Sequence, residues 1–139
     1  MYLFLFIYFI LFIFKYLFIY LFIQTYNKIN ELYENDQLND ALNIIEIQFN
    51  KNSNFDAKGY YLYAKILQRF QLCSKSKEMF NKAITLSNYK DKIILIDYLE
   101  LIIFYFGDIN EIKNILNYSL KLNNHNYKDY RLYDVCYML

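Results

Sequence analysis

"KSKEMFNKAI", residues 75–84, is echoed twice in this 139-residue chain, by "DALNIIEIQF" at 40–49 and by "NEIKNILNYSL" at 110–120. The three stretches superpose with Ala41, Ser76 and Ile112 in one column, and the steps between those residues are 35 and 36. Four residues on stand Ile45, Phe80 and Leu116. Seven or eight on stand Gln48, Ala83 and Leu120, which marks the inward face of the second helix in each stretch. A period in the mid-thirties with two helices per unit marks a helical-hairpin solenoid of tetratricopeptide (TPR) type, whose unit is about 34 residues. A small residue suits the column because two helices cross closely there. Ile112 departs from that rule and implies a wider crossing in the third unit. A plain amphipathic bundle is the competing fold, since Ile and Phe at helical spacing build a core in either case.

The joints fit the same scheme. Past residue 24 nothing alternates with period two, proline is absent, and the polar connectors "NKNSNFD", "LSNYKDK" and "KLNNHNYKD" are evenly spaced. One of only two glycines, Gly107, separates the apolar run "IILIDYLELIIFY" from the third echo. This predicts the turn inside a hairpin, with Gly107 in the left-handed backbone conformation and Asp108 capping the next helix. The matching turns of the first two units are "ENDQLND" and "FQLCSK". Gly59, near the start of a first helix, has no such assignment. The expected fold is therefore all-α: a right-handed α-α superhelix of helical hairpins over residues 24–139, preceded by an apolar N-terminal helix over residues 1–23.

That leading segment, "MYLFLFIYFILFIFKYLFIYLFI", has one charge, Lys15, and is otherwise Phe, Leu, Ile, Tyr and the initial Met. As a helix it is about 34 Å long, enough for about 30 Å of hydrocarbon. Its seventeen Phe, Leu and Ile residues favour insertion by roughly 5 to 10 kcal/mol against about 3 for a central lysine. It is a poor cleavable signal, being too long and without small residues at its end. Two readings stay open. One is a genuine membrane anchor. The other is a spurious start on a truncated gene product, because these residue types are also what a thymine- and adenine-rich non-coding tract yields on translation.

Charge and reactive residues exclude more than they suggest. A net charge of +1 gives no global field for nucleic acid or anionic lipid. Locally, residues 24–50 carry −4 and residues 51–82 carry +5. Lys58, Lys65, Arg69, Lys75, Lys77 and Lys82 form a candidate basic stripe for RNA, though charges between apolar helical positions are more often a solvated face. Cys73 and Cys136 lie 63 positions apart without a CxxC, and His125 is the one histidine, so neither a metal site nor a disulfide framework is indicated. The triplet Asn117-Tyr118-Ser119 matches a glycosylation acceptor but falls inside a helical pattern. Asp97 and Glu100 are the one pair of carboxylates placed for acid–base work, and they sit in the most apolar helix. No catalytic, cofactor-binding or metal-binding residues are assigned, and an enzyme is not expected.

An aromatic residue, a second aromatic three positions on, a Gly-Asp turn and a second helix reading small-basic-x-apolar-apolar-x-basic-Ala resemble the half-a-tetratricopeptide (HAT) repeats of RNA-processing proteins. The aromatic pair is matched by Tyr60 and Tyr63, with Ala64 after them, and by Tyr130 and Tyr133 in a fourth first-helix. The second-helix pattern is matched by "SKEMFNKAI" and more loosely by "IKNILNYSL". Tyr stands for the usual Trp, Ile96 and Leu99 fill the aromatic slots of the third unit, and Asn88 stands where the family generally has Pro. The run "LIIFYFGDINEIKNILNYSLKL" followed by "NYKDYRLYDV" is most similar to the C-terminal HAT regions of the large ribosome-biogenesis scaffolds that carry OB-fold RNA-binding domains upstream. The resemblance implies a non-catalytic scaffold in ribosomal RNA processing and small-subunit biogenesis, nucleolar within the nucleus, with protein partners from a pre-ribosomal complex. The alternative is a membrane-anchored TPR-like adaptor.

Overall fold

The computed structural model describes residues 1–51 and 55–122, so His125, Tyr130, Tyr133 and Cys136 lie outside the described residues. Six helices follow one another: α1 (Tyr2–Glu34), α2 (Leu38–Lys51), α3 (Ala57–Arg69), α4 (Cys73–Leu86), α5 (Lys92–Tyr105) and α6 (Ile109–Lys121), with no strand among the described residues. The fold is all-α, as the spacing of apolar residues predicts.

The helices end by turning left-handed. Asp36, Gln71 and Gly107 have φ of 60°, 59° and 65°, and they close the turns α1–α2, α3–α4 and α5–α6. They stand 35 and 36 residues apart, the same steps as the Ala41–Ser76–Ile112 column. At the first two, the amide after the left-handed residue reaches back to satisfy an otherwise orphaned carbonyl, Gln37 to Leu32 at 2.8 Å and Leu72 to Leu67 at 3.0 Å. Asn88 and Tyr89, also left-handed, end α4 in the same way, with Tyr89 N–H donating to Ile84 at 3.0 Å. Gly107 uses its own amide, donating to Ile102 at 2.8 Å. Three helix starts, those of α3, α5 and α6, are capped by acids. Asp56 accepts from the Gly59 amide, Asp91 from Ile93 and Ile94, and Asp108 from Asn110 and Glu111. The capping role assigned to Asp108 is thus observed, and Gly59 finds a place as the capped amide of α3.

The chain divides into two compact units, Met1–Ile45 and Glu46–Leu139. The division falls inside α2, whereas the sequence places a boundary at residues 23 and 24. There α1 runs on without a break, because Gln24, Thr25 and Tyr26 continue the helix and the Thr25 hydroxyl donates to the Leu21 carbonyl at 2.9 Å. In the first unit every residue from Met1 to Leu21 is exposed, and the first buried side chains are Ile29 and Leu32, then Ala41 and Ile45.

In the second unit α3 packs on α4, α4 on α5 and α5 on α6, each element against the next in the chain. The end of α2 joins it through Phe49, whose ring centre lies 5.4 Å from Tyr63 and 5.7 Å from Phe55. Further in, Phe80 of α4 stacks at 5.7 Å on Tyr98 of α5. From Ile94 to Leu99 every residue of α5 is buried. A helix apolar on all sides belongs in the middle of a packed array, and α5 lies there, flanked by α4 and α6.

Candidate interaction surface

The small-residue column marks a real crossing. Ser76 and Ala83 of α4 and Ala64 of α3 are fully buried, and the Ser76 hydroxyl donates to the Ala64 carbonyl at 2.8 Å. A side chain can reach a neighbouring helix backbone this way only where the two helices nearly touch. Ala41, Ile45, Phe80 and Ile112 are likewise buried, as are Tyr60 and Tyr63, while Leu116 is half-buried. One position is corrected. Leu120, assigned to the inward face, is 46 % exposed, and Ser119 beside it is buried, with its hydroxyl donating to the Ile115 carbonyl at 3.0 Å. The inward position is seven residues past Ile112, as Ala83 is seven past Ser76, and Leu120 is one residue further round the helix. Burial of Ser119 also shows why the triplet at 117–119 belongs to a packed helix.

Two carboxylates tie the α3–α4 hairpin to the α5–α6 hairpin. Asp97 of α5 is only 3 % exposed, and its Oδ2 accepts from the Tyr61 hydroxyl at 2.5 Å and from Lys65 Nζ at 3.0 Å, both on α3. Glu111 of α6 accepts from Lys77 Nζ of α4 at 2.6 Å and from the Tyr98 hydroxyl of α5. The two lysines stand 32 and 34 residues before their carboxylates, close to the steps of 35 and 36 in the Ala41–Ser76–Ile112 column. Each ammonium therefore joins a helix to the corresponding helix of the following hairpin, first to first and second to second. Burial, then the bond to Glu111, pushes the Tyr98 phenol far above its ordinary range. Tyr63 is raised too, by burial and then by Glu46, whose carboxylate its hydroxyl meets at 3.4 Å.

This arrangement breaks up the basic stripe. Lys65 and Lys77 are engaged by Asp97 and Glu111, and Lys82 pairs with Glu78 at 2.9 Å while its Nζ lies 5.6 Å from the Tyr60 ring centre. Lys58, Arg69 and Lys75 are exposed. The six bases do not make one free face, because Asp97 and Glu111 reach two of them from outside the 51–82 window and Glu78 holds a third from within it. Asp97, one of the two carboxylates singled out in the sequence, is a buried structural acceptor.

Two surface features remain. Tyr60, Glu78, Asn81, Lys82, Thr85 and Leu86 line an open depression of about 440 Å³ along α3 and α4. Phe104, Tyr105 and Ile109 are exposed around the α5–α6 turn, next to Phe106 whose ring lies 4.6 Å from Lys77 Nζ. Among the described residues no group of His, Cys, Asp and Glu could hold a metal ion. These features define an all-helical chain in which α3, α4, α5 and α6 pack in order. Neither the protein-family models nor the curated proteins compared with this chain give a match.

Proposed function

We propose that the chain is a non-catalytic adaptor, in which a short right-handed stack of TPR- or HAT-like hairpins offers an extended surface to a protein partner. The observation that carries this reading is the pair of bridges at near-repeat spacing, Lys65 to Asp97 and Lys77 to Glu111, which join equivalent helices of successive hairpins. Stacked hairpins bind through continuous surfaces while each unit touches only its neighbours. The depression beside Tyr60 and Lys82, with its mixed polar and apolar lining, is the candidate contact for a partner helix or extended segment.

Two settings are distinguished by experiment. The resemblance to HAT proteins favours a pre-ribosomal complex. An association with the membrane is favoured by α1, the one helix among the described residues long and apolar enough to cross a bilayer, with none of its apolar window buried. A helix apolar on every side and exposed on every side finds its solvent in lipid. Carbonate extraction of the expressed chain separates the two: retention in the pellet supports the anchored adaptor. Full release, with recovery of pre-ribosomal proteins on co-purification, supports the nucleolar scaffold. Failure to recover any protein partner under either condition overturns the adaptor reading.

A further inference from the structure

We propose that α1 docks, through Lys15, against a second membrane helix that carries an Asp or Glu near the bilayer midplane. The inference rests on the membrane reading of α1 and names its partner by chemistry. Lys15 is the one charged side chain between Tyr2 and Asn27. It stands about 20 Å from Tyr2 and about 12 Å from Ile23 along the axis, so the nearer edge of the apolar stretch lies toward the C-terminus. Helical side chains lean toward the N-terminus, which sends the lysine the long way to water. Snorkelling is therefore poorly served here.

The helix offers the ammonium no side-chain hydrogen-bond acceptor within one turn on its own face. One turn to either side on its own face stand Leu11, Phe12, Phe18 and Ile19, all without a hydrogen-bond acceptor on the side chain. The first acid in the chain is Glu31, sixteen residues on and about 24 Å along the helix. A second copy of α1 would set ammonium against ammonium, and residues 1–23 contain no Gly, Ala, Ser or Thr to let like helices approach closely. Ionisable groups at such depth pair with an opposite charge on a neighbouring span. Charge complementarity thus selects a different helix, apolar in its length and carboxylate-bearing at its centre.

The test reconstitutes the full chain, labelled at its N-terminal amine, in phosphatidylcholine vesicles. Energy transfer is read to a labelled leucine-rich helix with one central Asp, and to the same helix with Leu at that position. Insertion is read separately, by resistance to carbonate. The expected result is association roughly tenfold tighter with the Asp helix. Lys15→Leu should remove the preference while still inserting, and Lys15→Arg should keep it. Equal association with both helices, or a preference untouched in Lys15→Leu, overturns the inference and leaves the anchor standing. So does self-association of the chain that outcompetes the Asp helix. A chain that carbonate strips from the vesicles overturns the anchor and the inference together.

Discussion

Replacing Lys65 by Met should destabilise the fold, and replacing Asp97 as well should restore part of the loss. Lys65 is 27 % exposed and Asp97 is 3 % exposed, so the two partners do not suffer equally from separation. In Lys65→Met the buried carboxylate keeps the Tyr61 hydroxyl but loses the Lys65 ammonium. Breaking a fully buried pair costs about 3–5 kcal/mol, and partial access of water on the lysine side reduces that to about 2–3 here. Asp97→Asn is isosteric, keeps an acceptor for Tyr61, and frees a lysine that can turn to water, for about 1 kcal/mol. The double variant removes the charge of the buried carboxylate and should lie about 1–2 kcal/mol above Lys65→Met. Thermal unfolding of the full chain in mild detergent, followed by circular dichroism, reads this as a fall of roughly 6–12 °C for Lys65→Met and a recovery of several degrees in the double variant. Amide exchange should speed up in α3 and α5 together, since the contact joins those two helices. If Asp97→Asn lowered stability further on the Lys65→Met background, the buried-pair account and the stacking it supports would fall.

Other expectations follow from packing, backbone and titration. Ala83→Phe forces a ring into a fully buried position at the α3–α4 crossing and should cost about 1–3 kcal/mol, measured by the same melting experiment, whereas Leu120→Ala on the exposed side of α6 should stay within about 0.5. Gly107→Ala meets no neighbouring atom within 4 Å, so its expected loss of about 1 kcal/mol comes from φ of +65° alone. Gln71→Gly, one repeat earlier at φ 59°, should gain a few tenths to about 1 kcal/mol, and matching signs at both sites would contradict the assignment of equivalent turns. Tyr98 and Tyr63 hold their protons more tightly folded than unfolded, so the stability they lend is complete below about pH 10 and is lost as pH rises above it. Ultraviolet titration should show two phenols ionising only with alkaline unfolding, and Tyr98→Phe should flatten that limb of the stability profile.

How much of this was legible depends on whether the deciding contact is local. The Ala41–Ser76–Ile112 column announces itself because burial of a helix face repeats along the chain at fixed spacing. The Gly107–Asp108 turn is equally plain, since glycine and an acidic cap are local signals. Its counterparts at Asp36 and Gln71 adopt the same backbone without glycine, and in one sequence only their period gives them away. Asp97 is illegible for a different reason. An acid in an apolar helix reads as the solvent side until α3, more than thirty residues earlier, brings Tyr61 and Lys65 onto it. The same distance misleads the basic stripe, since the charges that balance Lys65 and Lys77 arrive from α5 and α6. Leu120 fails by one position, because a step of seven and a step of eight look alike until neighbouring helices choose between Ser119 and Leu120.

The unbroken course of α1 past Ile23 has a mechanical consequence. Eleven further residues reach Glu34 before the chain turns, a rigid post of about 16 Å with no joint at its foot. If the apolar part sits in a bilayer, a tilt of about 20° there swings the top of the post sideways by about 5–6 Å. Thickness or curvature of the lipid would then be felt at the first turn of the chain as a displacement, much as a mast reports the heel of its hull.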